Sequence, residues 1–306
     1  VRDILDPGNR RYRYPFTNCT NCGPRFTIAT DVPYDRGATT MAPFEMCGPC
    51  RHEYEDVLDR RFHAQPTACP VCGPQLELVW TDQSLRQTAD ARLKPGATYA
   101  PGGDATPRSG ATYAPARNVA PKPGAIDDFA LDTPPTYVAP HFSVAPADTP
   151  FVDVIDEAAD ALRRGLVVAL KGLGGFHLAC DATSEAAVVR LRTRKHRDEK
   201  PLAVMVRTLA DAEQLADLTP VHREMLASAE RPIVLANRRA ESGLAPSIAP
   251  RNRQIGVMLA YTPLHHLLLA DCGVPLVMTS GNLPWRDGKL AYVGRIGREL
   301  TGISAF

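Results

Sequence analysis

The chain has 306 residues, and its 35 basic side chains nearly balance its 34 acidic ones, which leaves a formal net charge of +1. This balance excludes a strong overall attraction to nucleic acid or to an anionic membrane. Hydrophobic residues make up 44% of the sequence, but no run approaches the ~18 apolar residues that a membrane-spanning helix needs. We therefore expect no membrane segment, and the length suits about two domains.

Closely spaced cysteine pairs mark the first quarter of the chain. Six of the eight cysteines form three Cys-x-x-Cys pairs there: Cys19 and Cys22, Cys47 and Cys50, Cys69 and Cys72. This grouping indicates metal binding in a reducing compartment, because secreted disulfide frameworks spread their cysteines and close longer loops. The N-terminus also lacks a secretory signal and an initiator Met. We expect a cytoplasmic chain that is a fragment of a longer protein.

The second and third pairs have the spacing of a zinc site. Cys47-Gly-Pro-Cys50 and Cys69-Pro-Val-Cys72 are separated by 18 residues, and two such knuckles supply the four thiolates of tetrahedral Zn²⁺. A redox pair or a disulfide would not explain two knuckles with Gly and Pro at their turns. Four protein ligands leave no position for substrate, so we expect a structural role. The first pair has no partner pair at the matching distance and is expected to be half of a site.

Composition divides the chain into three parts. Residues 1–80 form the expected zinc-finger region, with its second finger complete and its first half present. Residues 81–150 shift to Ala, Pro, Thr and Gly, and the hexamer GATYAP occurs there at 96–101 and 110–115. Few large apolar residues are available in that segment to offset the entropy of ordering, so we predict a flexible, disordered linker. Residues 151–306 form the expected second domain.

The second domain alternates strand and helix patterns. Apolar runs predict strands at 166–170, 202–206, 233–236, 255–259 and 275–279. Helical periodicity falls between them, at 184–195, 208–217, 220–229 and 263–270, and another helix precedes Gly165. Alternation of this kind predicts an α/β fold, a twisted sheet with flanking helices.

Three polar elements at strand ends suggest an anion site in this domain. The string KGLGGFH at 171–177 is a glycine-rich turn with one cation and one imidazole, residues 190–200 hold six basic side chains in eleven, and TSGN at 279–282 follows a strand. Each has a simpler explanation when considered alone, such as a tight turn or cations at a helix C-terminus. Together they predict a polyphosphate or nucleotide pocket.

Other conspicuous side chains favour packing. His265 and His266 lie at the start of an apolar helical pattern, where burial explains them better than metal ligation. Cys180 and Cys272 stand alone in apolar surroundings and are expected to be small core residues.

Four longer strings carry a family resemblance. They are RYRYPFTNCTNCGPRF at 11–26, RFHAQP at 61–66, KGLGGFH at 171–177 and GVMLAYTPLHH at 256–266. These strings closely resemble the hydrogenase-maturation carbamoyltransferase family, HypF, over nearly everything except the low-complexity segment. The resemblance implies a zinc-finger region and a C-terminally truncated YrdC-like domain, without the acylphosphatase-like and terminal transferase domains of that family.

The resemblance also implies an activity. In that family the YrdC-like domain uses ATP, with which Mg²⁺ is expected, to convert the carbamoyl group of carbamoyl phosphate into carbamoyl-adenylate and pyrophosphate. The carbamoyl group then passes to a C-terminal cysteine of a partner maturation protein. It becomes a cyanide ligand of the nickel–iron hydrogenase centre. A fragment of such an enzyme is expected to bind ATP weakly and not to complete the transfer.

Site residues follow from the resemblance position by position. Lys195 and Arg197 match the Lys-x-Arg of YrdC-like domains, with Lys200 following, and Ser280 and Asn282 match their Ser-x-Asn. These residues are expected to hold the ATP phosphates, because fixed cations stabilise the charge that develops on the α-phosphoryl group.

Two further residues are assigned to the carbamate side. Lys171 and His177 belong to the string that differs from the tRNA-modifying relatives. Two alternatives stay open beside this assignment. One is threonylcarbamoyl-adenylate synthesis for tRNA modification, against which the fused fingers and residues 171–177 argue. The other is a zinc-stapled RNA-binding module, for example for double-stranded RNA, which would use the basic cluster at 190–200 and weaken steeply with salt.

Overall fold

The structure is a computed structural model, and it describes residues 1–20, 28–79, 136–141, 154–172 and 175–281. Its helices are α1 Arg2–Leu5, α2 Gly48–Glu55, α3 Val154–Arg163, α4 Glu185–Lys195, α5 Leu209–Leu215, α6 Pro220–Ala227 and α7 Pro263–Cys272. Its strands are β1 Gln75–Val79, β2 Thr136–His141, β3 Val168–Gly172, β4 Gly175–Asp181, β5 Ala203–Val206, β6 Ala216–Asp217, β7 Val234–Arg238, β8 Gln254–Leu259 and β9 Leu276–Ser280. Within these ranges, no helix is long and apolar enough to cross a membrane.

The strands form one mixed sheet in the order β1-β2-β3-β4-β9-β5-β8-β7-β6. Only the β2–β3 and β5–β8 pairs are parallel among the pairings described. Strand β9 is the last of these strands in chain order, yet it lies antiparallel between β4 and β5. This position brings β9 next to residues that are about 70 to 100 positions earlier in the chain.

Helices cover both faces of the sheet. One core cluster joins β4, β5, β8 and β9 to α4, α5 and α6, and the other joins β3, β4 and β9 to α3 and α7. Neighbouring residues of a strand contribute to opposite clusters, as alternation requires. Cys180 and Cys272 are buried in these two clusters, and burial raises the pKa of each thiol to about 12. The prediction that they are core residues is confirmed.

The zinc-finger unit contains a sequence repeat with an offset of 50 residues. Arg10-Arg11 recurs as Arg60-Arg61, and Asp3 corresponds in position to Glu53. The ion pairs cross between the two copies: Arg11 Nη2 lies 2.5 Å from Glu53 Oε2, and Arg61 Nη2 lies 2.7 Å from Asp3 Oδ2. Both Arg11 and Arg61 are almost fully buried, so each half of the unit supplies the counter-charge that the other needs.

Apolar packing and ion pairs join the zinc-finger unit to the α/β sheet domain. Ile4 of α1 is fully buried in the core cluster that contains α3 and α7. Arg13 forms a two-pronged ion pair with Asp271 near the end of α7, with nitrogen–oxygen distances of 3.0 and 2.6 Å. Arg13 Nη2 also lies 3.4 Å from Asp156 of α3. The finger unit therefore packs on the helical layer formed by α3 and α7.

The segment predicted as a flexible linker, residues 81–150, contains part of the sheet. Strand β2 within it pairs antiparallel with β1 and parallel with β3. Composition did not reveal this strand, because its place is set by the two strand edges that flank it and not by local propensity. The rest of the predicted linker lies outside the described residues. Strand β1 likewise belongs to the sheet, although residues 1–80 were predicted as finger.

The glycine-rich turn predicted at 171–177 is instead a β-hairpin. Lys171 lies in β3 and His177 in β4, and these strands pair antiparallel. The strand predicted at 166–170 begins two residues later, because Leu166 still closes helix α3 by donating its amide to the carbonyl of Ala161. The helix predicted at 208–217 ends at Leu215, after which β6 begins.

Candidate nucleotide and zinc sites

The cationic part of the candidate site begins where helix α4 ends. Lys195 is the last residue of the helix, and His196 stops it in the left-handed conformation, with φ 48°. The chain then reverses, which brings Arg197 back toward the sheet. Lys195 Nζ donates to the carbonyl of Ser280, and Arg197 Nη1 donates to Thr279 Oγ1 at 3.1 Å. The basic turn and the end of β9 therefore lie against each other.

Arg192 holds the turn in place. Its buried guanidinium donates to the carbonyls of Arg197 at 2.8 Å and Lys200 at 3.2 Å, and also to those of Ser247 and Ile248. These bonds leave the backbone of the turn few alternative positions. The sequence marked Arg192 only as one of six basic residues at 190–200, because its role depends on carbonyls that lie more than 50 residues away in the chain.

Electrostatics make this site receptive to an anion. Burial, together with the nearby charge of Arg197, lowers the pKa of Lys195 to about 8. Burial also lowers the pKa of Arg197 from its usual value. A phosphate group would offset both effects, because it replaces lost hydration with charge-assisted hydrogen bonds. The carbonyl of Lys200 accepts hydrogen bonds from Arg192 and Arg197, and the Lys200 side chain is exposed. Asn282 lies outside the described residues.

Lys171 and His177, which were assigned together to the carbamate side, project to opposite faces of the hairpin. Lys171 is the cross-strand partner of Phe176, and its Nζ lies 4.8 Å from the centre of the Phe176 ring. His177 is the cross-strand partner of both Leu170 and Ser280, and cross-strand partners share a face. The His177 side chain therefore lies on the same face of the sheet as the Ser280 side chain, and α7 covers that face.

His177 belongs to a cluster of rings that sequence reasoning missed. Tyr261 Oη lies 3.4 Å from His177 Nε2, and the rings of His177 and His265 are nearly parallel, at 4°, with centroids 5.8 Å apart. His265 is fully buried, as the packing interpretation predicted. Burial lowers the pKa of both histidines and raises the pKa of Tyr261 to about 12. All three rings are therefore neutral near pH 7.

Four cysteines converge in the zinc-finger unit as predicted. Cys47 caps α2, Cys50 lies in its first turn, and Cys69 and Cys72 flank a tight turn. The Sγ–Sγ distances are 3.7 Å from Cys47 to Cys69, 3.8 Å from Cys69 to Cys72 and 3.5 Å from Cys72 to Cys50. Tetrahedral Zn²⁺ with Zn–S bonds of ~2.3 Å requires sulfurs about 3.8 Å apart, so the cluster fits zinc.

Arginines of the repeated segment contact this cluster. Arg10 directs Nη1 and Nη2 at Cys50 Sγ, at 3.2 and 3.3 Å, and Arg11 Nη2 lies 3.6 Å from the same sulfur. Hydrogen bonds from Cys69 and Cys72 lower the pKa of Cys50, and Arg10 lowers it further. The thiolate is thus stabilised from the first half of the finger unit. Cys19 is exposed, and Cys22, its partner in the predicted half site, lies outside the described residues.

Two family models match the chain. The model described as "HypF finger" matches residues 1–29 and 46–79. The Sua5–YciO–YrdC model, described as "Telomere recombination", matches residues 160–291, which include the basic turn and β9. The fold and its sites therefore define a class of protein in which a zinc finger is joined to a YrdC-like domain.

Known proteins are similar to this chain over more of its length than either family model. The chain is 43% identical over 283 residues to carbamoyltransferase HypF of Rhodobacter capsulatus, covering 92% of this chain and 29% of that protein. A crystal structure of full-length HypF in the phosphate- and nucleotide-bound form matches with a TM-score of 0.69 and 36% identity, over 99% of this chain and 31% of that chain. The chain belongs to the HypF family of carbamoyltransferases and spans about three tenths of the length of these relatives. Threonylcarbamoyl-AMP synthase of Vibrio cholerae is 32% identical over 136 residues, covering 43% of this chain and 72% of that protein.

Proposed function

We propose that the sheet domain binds ATP with Mg²⁺ and activates a carbamoyl group as carbamoyl-adenylate, and that the zinc site has a structural role. The observation that carries this proposal is the convergence of Lys195 and Arg197 on the last two residues of β9. Two cations fixed at one strand end suit a polyphosphate better than they suit a neutral ligand. In support of this, the full-length HypF whose structure matches this chain was crystallised in a phosphate- and nucleotide-bound form.

The proposed chemistry proceeds through carbamate, which forms with inorganic phosphate when water hydrolyses carbamoyl phosphate. A carbamate oxygen attacks the α-phosphorus of ATP, the bond from that phosphorus to the bridging oxygen breaks, and pyrophosphate leaves. Negative charge grows on the transferred phosphoryl group, where Lys195 and Arg197 stabilise it. Mg²⁺ supplies further charge neutralisation on the phosphates. Ser280 and Asn282 complete the proposed set of polar contacts.

We assign the later step to the longer protein of this family. The carbamoyl group then passes to a C-terminal cysteine of a hydrogenase-maturation protein and becomes a cyanide ligand of the nickel–iron centre. Four thiolates that bind zinc need a reducing environment, which supports a cytoplasmic location.

The alternative of threonylcarbamoyl-adenylate synthesis has one observation in its favour, the 32% identity to the Vibrio cholerae enzyme. That match covers only 43% of this chain, whereas the HypF match includes the finger unit. The RNA-binding alternative loses support, because two arginines of the basic cluster donate to backbone carbonyls: buried Arg192 to those of Arg197 and Ile248, and Arg190 to that of Gly165.

ATP–pyrophosphate exchange tests the proposal. We expect the purified protein to exchange pyrophosphate into ATP only when carbamoyl phosphate is present, and to lose exchange in Lys195→Ala. Arg190→Ala is the matched control, because Arg190 is on the same helix but donates to Gly165, away from the site. Exchange that depends on threonine and bicarbonate would establish the alternative. Absence of exchange with either substrate would contradict both adenylation functions.

A further inference from the structure

His177, Tyr261 and His265 form a ring cluster on the face of the sheet that α7 covers. Tyr261 lies in the loop between β8 and α7, and His265 lies in the first turn of α7. The Tyr261 and His265 rings meet at 72° with centroids 4.5 Å apart. Packing from two sides thus fixes the plane of the His177 ring, while the cross-strand pairing with Ser280 fixes its position.

The direction of the hydrogen bond between Tyr261 Oη and His177 Nε2 determines which nitrogen of His177 carries the proton. A neutral imidazole has one nitrogen that donates and one that accepts, and the partner of either nitrogen decides the tautomer. The Tyr261 hydroxyl stays protonated near pH 7, because burial raises its pKa. When it donates to His177 Nε2, that nitrogen must be the acceptor, and the proton then resides on Nδ1.

His177 Nδ1 is buried, and it has no hydrogen-bond partner within the part of the chain that the structure describes. An unsatisfied buried donor costs about 1–3 kcal/mol, so such a group is commonly satisfied by a ligand or an ordered water. His265 cannot relieve it, because a parallel ring at 5.8 Å presents its face and not its nitrogens. His177 is the cross-strand partner of Ser280, whose carbonyl accepts from Lys195.

We infer that Tyr261 is a positioning residue that holds His177 in the Nδ1–H tautomer, so that this N–H donates to an oxygen of the carbamoyl group. The identity of the ligand rests on the proposed function, whereas the tautomer is a property of the chain itself. His177 is then a neutral donor, neither a base nor a cation. It orients a planar carbamoyl oxygen without drawing charge away from the phosphates.

Nitrogen-15 NMR of the imidazole rings tests the tautomer without any turnover. We expect His177, assigned by the signal lost in His177→Gln, to carry its proton on Nδ1. We expect Tyr261→Phe to move that proton toward Nε2. Tyr54→Phe is the matched control, because it also removes a hydroxyl with a side-chain partner, here Gln65, but in the finger unit. A proton on Nε2 in the unaltered protein, or no change in Tyr261→Phe, would overturn the inference.

Carbamoyl phosphate separates the ligand from the tautomer. We expect its addition, with ATP present, to shift the His177 Nδ1–H signal, and we expect Tyr261→Phe to weaken carbamoyl phosphate binding about tenfold while ATP affinity stays unchanged. Calorimetric binding of carbamoyl phosphate with no shift at His177 would overturn the donation. Failure of carbamoyl phosphate to bind at all would contradict the proposed function and leave the tautomer result standing.

Discussion

Lys195 Nζ lies 2.5 Å from the carbonyl oxygen of Ser280, which links the end of helix α4 to the end of strand β9. The two residues are 85 positions apart in the chain. Their contact places a cation at the strand end before any ligand arrives. A site organised in this way binds an anion with little rearrangement, because folding has already positioned the amine.

The lowered pKa of Lys195 leads to a pH dependence. Before ATP binds, the amine has a pKa of about 8, and bound phosphate favours the charged form, so ATP binding raises this pKa. We expect ATP affinity to fall as pH rises past about 8, where the unliganded protein loses the proton. At pH 8 binding should take up about half a proton, which calorimetry in two buffers of different ionisation enthalpy measures.

The Lys195→Arg variant is the control for this linkage. The guanidinium of this variant stays charged between pH 7 and 9, roughly the interval in which the lysine titrates. ATP binding to the variant should therefore take up no proton in that interval. Equal proton uptake in the variant and in the unaltered protein would assign the effect to another group.

A side chain at Gly281 would crowd Phe176. Its amide donates to the carbonyl of Phe176 at 2.6 Å, and a Cβ there would lie 3.0 Å from Phe176 Cβ and 3.1 Å from its carbonyl oxygen. Backbone atoms cannot move aside cheaply. We expect Gly281→Ala to lower the free energy of unfolding by about 1–3 kcal/mol, measured by urea denaturation.

Gly256→Ala in β8 is the matched control for that substitution. A Cβ at Gly256 would meet Ile233 Cγ2 at 2.8 Å, but Ile233 is 54% exposed and can turn away. We expect a smaller loss of stability in this variant. An equal loss in both variants would show that the Phe176 contact has no special importance.

Arg10 is expected to slow the release of zinc. Removing its two contacts with Cys50 leaves the thiolate with less compensation for its charge, and groups that hydrogen-bond metal ligands commonly alter metal affinity by ~10–100-fold. We expect Arg10→Ala to release zinc to a chelator about tenfold faster. Arg51→Ala is the control, because Arg51 follows Cys50 directly and is exposed. Identical release rates in the two variants would contradict this role for Arg10.

Arg13 and Asp271 are expected to couple the finger unit to the sheet domain. Their side chains are 22% and 13% exposed, and a partly buried two-pronged pair exceeds the 0–1 kcal/mol typical of surface pairs. We expect a double-mutant cycle of Arg13→Ala and Asp271→Ala to give a coupling free energy of about 1–2 kcal/mol. A coupling energy indistinguishable from zero would mean that this ion pair does not hold the two parts together.

Local chemistry explains why the zinc ligands were predictable. The spacing of Cys47, Cys50, Cys69 and Cys72 restricts the possible pairings of the two knuckles, and zinc geometry supplies the rest. The α/β class was equally accessible, because it follows from alternating periodicities. Strand β2 was not accessible, because its pairing depends on β1 and β3 and not on its own composition.

The candidate nucleotide site was only partly predictable. Motifs located Lys195, Arg197 and Ser280, and the fold brings them together. Arg192 was noted only as part of the basic cluster and Tyr261 only as part of a family string, because their roles arise from contacts across 55 and 84 residues of chain. Alternation along β3 and β4 also separated Lys171 from His177, which sequence proximity had grouped.

Calorimetric titration of the purified protein with ATP and Mg²⁺, on a sample of measured zinc content, tests the central claim most directly. We expect binding in the unaltered protein and in Arg190→Ala, and its loss in the Lys195→Ala, Arg197→Ala double variant. No binding in zinc-loaded, folded protein, or undiminished binding in the double variant, would contradict a nucleotide site at the junction of α4 and β9.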